Sequence, residues 1–372
     1  EGRAREAAIL QAGLIPNVEL KAATTEDLGV GAQAQQSVQL SQLIELGEKR
    51  TKRVQAASKT YALAGWDYEA KRLKVITETY QAFIDVLSAQ KRVSMAEDMV
   101  RLAEQVGSIV SNRVEAGKVS PVENSKTDIA LSLARMEIER AKRELEANRT
   151  RLAGAWGNAK PLFTSANGDL DAILPIPPFD QLTIRLSQNP ELARWSAEIS
   201  QRQAQIALEE AKAIPNITVS GGYLTSGTVS NSPAFIAGLS IPLPIFDKNQ
   251  GNIQEARHRL SKGEEEKKAA ETRVNNLLSQ AYRAVSTAHA EVATLKSKIL
   301  PRTQSTFDAI NEGYRLGKFS LMDVLDAQRT IFDAKTRYLQ AMTAYHKAVA
   351  DIEQIIGERL DTVPMIKNDK GS

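Results

Sequence analysis

Residues Ile217, Val219, Gly221 and Tyr223 alternate with Thr218, Ser220 and Gly222, and Phe235, Ala237, Leu239, Ile241, Leu243 and Ile245 fill every odd position of the next run. A two-residue period over that distance predicts two strands with one apolar face. The stretch Thr225-Ser226-Gly227-Thr228-Val229-Ser230-Asn231-Ser232-Pro233 between them is turn chemistry. The start of the chain repeats the pattern less regularly: Val18, Leu20 and Ala22, a loop from Thr25 to about Gln36, then Val38, Leu40, Ile44 and Leu46. Four strands per chain are predicted, as two hairpins.

Past each hairpin the period becomes helical. From about Asn249 to Leu316 the sequence is helix-forming apart from Pro301, and at about 1.5 Å per residue such a run reaches ~100 Å. The short link Gly317-Lys318-Phe319-Ser320 then reverses the chain, and Leu321 to Ile356 returns, with Leu321, Val324, Leu325, Ala327 and Gln328 opening an amphipathic stripe. The first half does the same over Glu48 to Val114, Gly117-Lys118 and Pro121 to Trp156. Pro121 suits a helix start, because the amide hydrogen it lacks would have had no partner there. Between the halves, Lys160 to Asn189 holds Pro161, Pro175, Pro177 and Pro178, and its apolar residues Leu162, Phe163, Ile173, Leu174, Ile176, Phe179 and Leu182 predict a folded connector packed on the helices. Asn189-Pro190-Glu191 starts a helix running to about Lys212.

The two halves match position by position. Gly117-Lys118-Val119-Ser120 recurs as Gly317-Lys318-Phe319-Ser320 and Trp156-Gly157 as Ile356-Gly357, at an offset of 200. Ile15-Pro16-Asn17 recurs as Ile214-Pro215-Asn216 and Glu48-Lys49 as Asp247-Lys248, at 199. A period of this length marks a duplicated, domain-sized unit. The expected divisions are residues 1–157, a first repeat; 158–188, a Pro-rich connector; 189–357, a second repeat; and 358–372, a tail.

Composition narrows the possibilities. Aromatic residues make up only 5% of the 372, and Ala, Gln, Glu, Lys, Arg and Leu dominate long stretches, as in long helices and coiled coils. The 48 basic and 45 acidic residues are interleaved, so no basic face for nucleic acid stands out. There is no cysteine, and hence neither disulfide framework nor thiol chemistry. No run of about 18 apolar residues is present, which excludes a spanning helix. Four amphipathic strands pose a different problem: two hairpins alone neither bury an apolar face nor satisfy their edges. A closed barrel needs about eight strands or more. Three chains supply twelve, and apolar-out strands closed into a barrel can cross a bilayer. The competing class is a structural scaffold, a soluble sandwich on a coiled-coil stalk; detergent dependence of a heat-sensitive trimer separates the two.

The layout, the duplication and the run Tyr314-Arg315-Leu316-Gly317-Lys318-Phe319-Ser320-Leu321-Met322-Asp323-Val324-Leu325-Asp326-Ala327-Gln328-Arg329 resemble the TolC family of outer-membrane efflux channels. The segment from Ile241-Pro242-Leu243-Pro244 to Gly251-Asn252-Ile253 is similar to the heavy-metal branch of that family, the CzcC- and CusC-like proteins. The resemblance implies a mostly α chain with a small β part, three of which assemble a transmembrane β-barrel and a long α-helical coiled-coil barrel. It implies location in the Gram-negative outer membrane, in contact with lipid and extending into the periplasm, and service to an inner-membrane RND pump through a periplasmic adaptor, or membrane fusion protein. The passive duct so formed would carry heavy-metal cations such as Co, Zn and Cd, or Cu and Ag. Drug efflux and type I secretion are the alternative cargoes. The helix Asn189 to Lys212 has only Glu1 to Ala12 as its first-half counterpart, so the family's amino-terminal segment, which in many members carries an acylated cysteine, is expected to lie outside this chain.

No catalytic residues and no cofactor are expected, because no nucleophile-base-acid set or phosphate loop appears. No metal site is expected either: His258, His289 and His346 are the only histidines, none has another at helical spacing, and a soft cation would lack thiolate ligands. The residues of interest lie where the helices reverse. Asp323 and Asp326, three apart on one helix face, would form carboxylate rings under three-fold symmetry and attract cations; a first-turn acid favoured by the helix dipole is the alternative for Asp323. By resemblance, Tyr314, Lys318, Asp323 and Asp326 with Glu123 form the periplasmic gate. Lys118 and Val119 between Gly117 and Ser120, and Lys318 and Phe319 between Gly317 and Ser320, are the expected adaptor-docking tips.

Overall fold

The computed structural model describes residues 1–26, 34–226 and 234–360; the middles of both predicted hairpin loops and residues 361–372 of the tail lie outside these described residues. The chain divides into two compact units, Glu1–Ala70 with Pro190–Thr272 and Lys71–Asn189 with Arg273–Ser372, each drawing one stretch from either side of the connector.

The first unit holds α1 (Gly2–Ala12), β1 (Glu19–Glu26), β2 (Ala34–Ile44), the start of α2 (Lys49–Glu115), then α5 (Pro190–Lys212), β3 (Ile217–Ser226), β4 (Ala234–Ser240) and the start of α6 (Gln250–Thr294). Its strands make one antiparallel sheet in the order β1-β2-β3-β4. The two expected hairpins are therefore joined, with Val38 opposite Tyr223 and Ile44 opposite Ile217. The register aligns Ala22, Val38, Tyr223 and Phe235 in one row across the sheet. This face is bare within one chain: Leu20 is 68% exposed, Leu239 67% and Phe235 89%. β4 stops at Ser240 instead of continuing to Ile245 as the alternation predicts. Pro242 and Pro244 cannot donate to a ladder, so the alternation outlasts the strand.

Side chains tie this sheet to its helices. Buried Lys49, at the start of α2, donates from Nζ to the Ile214 carbonyl and to Asn216 Oδ1 ahead of β3. Arg53 spans Glu45 at 2.6 and 3.1 Å and reaches the Ala12 carbonyl at 2.7 Å. In the second half, Asn249 donates to the Glu209 carbonyl at 2.8 Å and carboxylate at 3.0 Å.

The second unit contains the rest of α2, α3 (Val122–Gly154), the connector with α4 (Phe179–Arg185), the end of α6, α7 (Leu300–Arg315) and α8 (Leu321–Ile356). Between α6 and α7, Leu295–Ile299 forms a π turn immediately ahead of Pro301. The wider turn lets the helix continue across a proline that would otherwise break it. Ile84, Leu87, Leu170, Val292, Leu295, Leu339 and Met342 form a core cluster. The connector is pinned to α8: Tyr338 donates to Asp171 at 2.9 Å, Tyr345 to the Leu174 carbonyl at 2.8 Å, and His346 to the Leu170 carbonyl at 2.9 Å.

Candidate functional site

Both helical reversals are built from one device. At the end of α2, Gly117 takes φ +67°; its amide donates to the Val114 carbonyl at 2.9 Å and that of Lys118 to the Arg113 carbonyl at 2.9 Å. At the end of α7, Gly317 takes φ +76°, and the same two bonds run to Tyr314 at 3.0 Å and Gly313 at 2.7 Å. This pair of bonds closes the helix end and requires a left-handed residue, the conformation that favours glycine. Lys118 and Lys318 are exposed at the two turns.

The helices that leave the turns are capped differently. At α8 the Ser320 amide and hydroxyl donate to Asp323 Oδ2 at 2.8 and 2.7 Å, and the Asp323 amide donates back to Ser320 Oγ at 3.3 Å, a reciprocal capping box. These bonds, from the Ser320 hydroxyl first and its amide second, hold the Asp323 carboxyl below its ordinary pKa. Within one chain its carboxylate is thus engaged at the helix start, while Asp326 is exposed one turn on. At α3, Pro121 occupies the cap position and Glu123, the repeat counterpart of Asp323, turns to another partner.

That partner is Tyr314. Its ring is 2% exposed, packed with Val106, Val110, Leu321 and Val324, and its hydroxyl donates to Glu123 Oε2 at 2.9 Å. Burial first, and the Glu123 carboxylate second, push the Tyr314 hydroxyl up to about 12. Of the expected gate residues the structure brings Tyr314 and Glu123 together; the exposed Lys318 side chain, Asp323 and Asp326 are not joined to them.

Two features were missed from sequence. The Arg113 guanidinium lies over the Tyr314 ring, 4.4 Å from its centroid, and donates to the Tyr314 carbonyl. A Cβ on Gly313 would stand 2.3 Å from Phe319 Cδ2, so Gly313 leaves the space in which the Phe319 ring lies. The available signal was a mismatch: Arg113 and Gly313 occupy equivalent places in otherwise matching tips.

Among the described residues no group of three or more His, Asp or Glu is disposed to hold a metal ion. His346 is buried and bonded to backbone, its ring edge-on to Tyr345 at 5.3 Å, and His258 pairs with Gln254 on the surface.

Known proteins share the fold of the chain. The family profile described as outer membrane efflux protein matches residues 3–158 and 183–358. The cobalt-zinc-cadmium resistance protein CzcC of Cupriavidus metallidurans is 36% identical over 352 residues, 95% of this chain and 84% of that protein. The nickel-cobalt-cadmium resistance protein NccC of Alcaligenes xylosoxydans xylosoxydans is 25% identical over 266 residues, 71% of this chain and 58% of that one. Among solved structures, CusC superposes with a TM-score of 0.79 at 16% identity, covering 96% of this chain and 86% of that chain. The open state of the Neisseria gonorrhoeae MtrE outer membrane channel gives 0.78 at 19% identity, covering 96% and 84%. With one profile matching on either side of its connector and the fold of these channels over nearly its whole length, the chain belongs to the outer membrane efflux protein family.

Proposed function

We propose that the chain is the outer-membrane exit duct of a tripartite system that expels heavy-metal cations of the cobalt, zinc and cadmium class, receiving them from an inner-membrane RND pump through a periplasmic adaptor. The 36% identity to a cobalt-zinc-cadmium resistance protein over 95% of the chain carries this reading. The duct is passive: cations move down the path the pump provides, and the protein supplies a barrel, a tube and a gate. Three copies make the channel, a reading supported by the bare apolar face of a four-stranded sheet whose outer strands each have one edge open. The tips Gly117 to Ser120 and Gly317 to Ser320 dock the adaptor, and the Tyr314–Glu123 bond is part of the resting gate.

A strain lacking the gene should lose tolerance to cobalt, zinc and cadmium and regain it on expression of the full protein. Restored drug tolerance or protein secretion without any effect on metal tolerance would overturn the cargo assignment. Expression of Tyr314→Phe or Glu123→Gln should leave export intact while raising the resting conductance of the reconstituted channel.

A further inference from the structure

We propose that Arg113 is a positioning residue of the gate: it holds Tyr314 by its ring face and its carbonyl while Glu123 holds its hydroxyl, making the resting network a set of Arg113, Tyr314 and Glu123. The proposal rests on the gate reading above and adds a residue to it. The three side chains come from the last turn of α2, the last turn of α7 and the first turn of α3. The hydroxyl bond to Glu123 fixes the distal end of the phenol but adds no directional contact to the ring face or to the Tyr314 carbonyl. Arg113 restrains both, since one guanidinium lies 4.4 Å from the ring centroid and also donates through Nη1 to the Tyr314 carbonyl. That combination suits arginine, whose planar fork can stack on a ring while its edge donates; a lysine ammonium is a point charge that offers one or the other.

The duplication shows that this contact is one-sided. The position equivalent to Arg113 in the second copy is Gly313, over which the Phe319 ring lies, and the position equivalent to Tyr314 is Val114. A Cβ on Gly317 would lie 3.9 Å from Arg113 Nη2, so the guanidinium also flanks the second turn itself. The first tip thus reaches into the second, and nothing equivalent returns.

The test is single-channel recording of the full-length protein reconstituted in planar bilayers, with heat stability in detergent recorded in parallel. Arg113→Gln should raise resting conductance about twofold to fivefold, the range expected from one partly exposed cation–ring contact, with heat stability unchanged. Combined with Glu123→Gln it should add little beyond the larger single effect, because both act through Tyr314. Arg113→Lys should restore the resting state only in part. Wild-type conductance in Arg113→Gln, or full closure in Arg113→Lys, would overturn the proposal provided that Tyr314→Phe and Glu123→Gln do raise conductance. Should all of these variants conduct like the wild type, the gate reading itself falls and the role of Arg113 with it. If Arg113→Gln does not fold, Arg113→Lys decides.

Discussion

Lys49→Met tests how the start of α2 is fastened to the segment 165 residues later that leads into β3. The native ammonium is 7% exposed and donates to the Ile214 carbonyl and to Asn216 Oδ1. Burial lowers its pKa and the Glu45 charge only partly offsets this, so the site holds its charge at some expense. Methionine has nearly the same shape and removes both donors. An acceptor left without its partner costs about 1–3 kcal/mol. Ile214 is 44% exposed and Asn216 half-buried, so water can reach both acceptors and the lower end applies to each. The loss should be about 2 kcal/mol, or roughly 2–3 °C in the unfolding midpoint of a chain of this size. Circular dichroism melting in detergent measures it, and hydrogen exchange should show faster opening at residues 214–218 before any change near the helical turns. A variant as stable as the wild type would refute the reasoning, since it would mean that burying the charge costs as much as its two bonds return.

Other outcomes follow from the same contacts. The Glu45 carboxyl is held low first by its bond from Arg53; for Glu209, burial pushes upward, but the bonds from Lys212, Asn249 and Gln205 outweigh it and the net shift is down. The unfolded chain therefore binds more protons, and their stabilisation, complete above the ordinary carboxylate range near about 4.3, is lost as pH falls through the lower folded values; an acid melting series on Glu209→Gln should show a shallower decline than the wild type, and an unchanged slope would remove Glu209 from the account. Gly313→Leu should eject the Phe319 ring and reduce cross-linking to the adaptor at the second tip, whereas adaptor cross-linking at wild-type yield would show that the ring plays no part in docking. Gly117→Val and Gly317→Val force a branched side chain into the left-handed region at a cost of about 1–2 kcal/mol each; both should impair export, and retention of full metal tolerance in the double variant would place docking elsewhere.

Much of the architecture was legible because it is periodic. The two-residue alternation located all four strands, and the tips were found from repeated glycines whose positive φ the structure confirms at 117 and 317. Alternation reports side-chain direction and not hydrogen bonding, which is why it ran past Ser240 into a proline segment that cannot pair. The β2–β3 pairing joins residues about 180 apart, and no local pattern encodes it. At the turns, the contact between Tyr314 and Glu123 was anticipated through resemblance. Arg113 was not, because its target lies 201 residues away and an arginine near a helix C-terminus has an ordinary local explanation in the helix dipole.

The π turn at Leu295–Ile299 has a consequence for aim. Ahead of it, Val274, Leu278, Ala281, Val285, Ala288, Val292 and Leu295 are buried in alternating steps of four and three residues, a stripe that stays in phase with its neighbours. Beyond it the buried series resumes at Phe307, 12 residues after Leu295, where three α-helical turns would take about 11. The extra residue is absorbed in the wide turn, and every side chain downstream is indexed back by about 100°. The bearing of Tyr314 is therefore set 15 to 19 residues upstream of it, by a segment that touches neither Glu123 nor Arg113. Excising one residue there would leave the composition of the tip intact and rotate the phenol off target, so the helix acts as an indexing shaft as well as a wall.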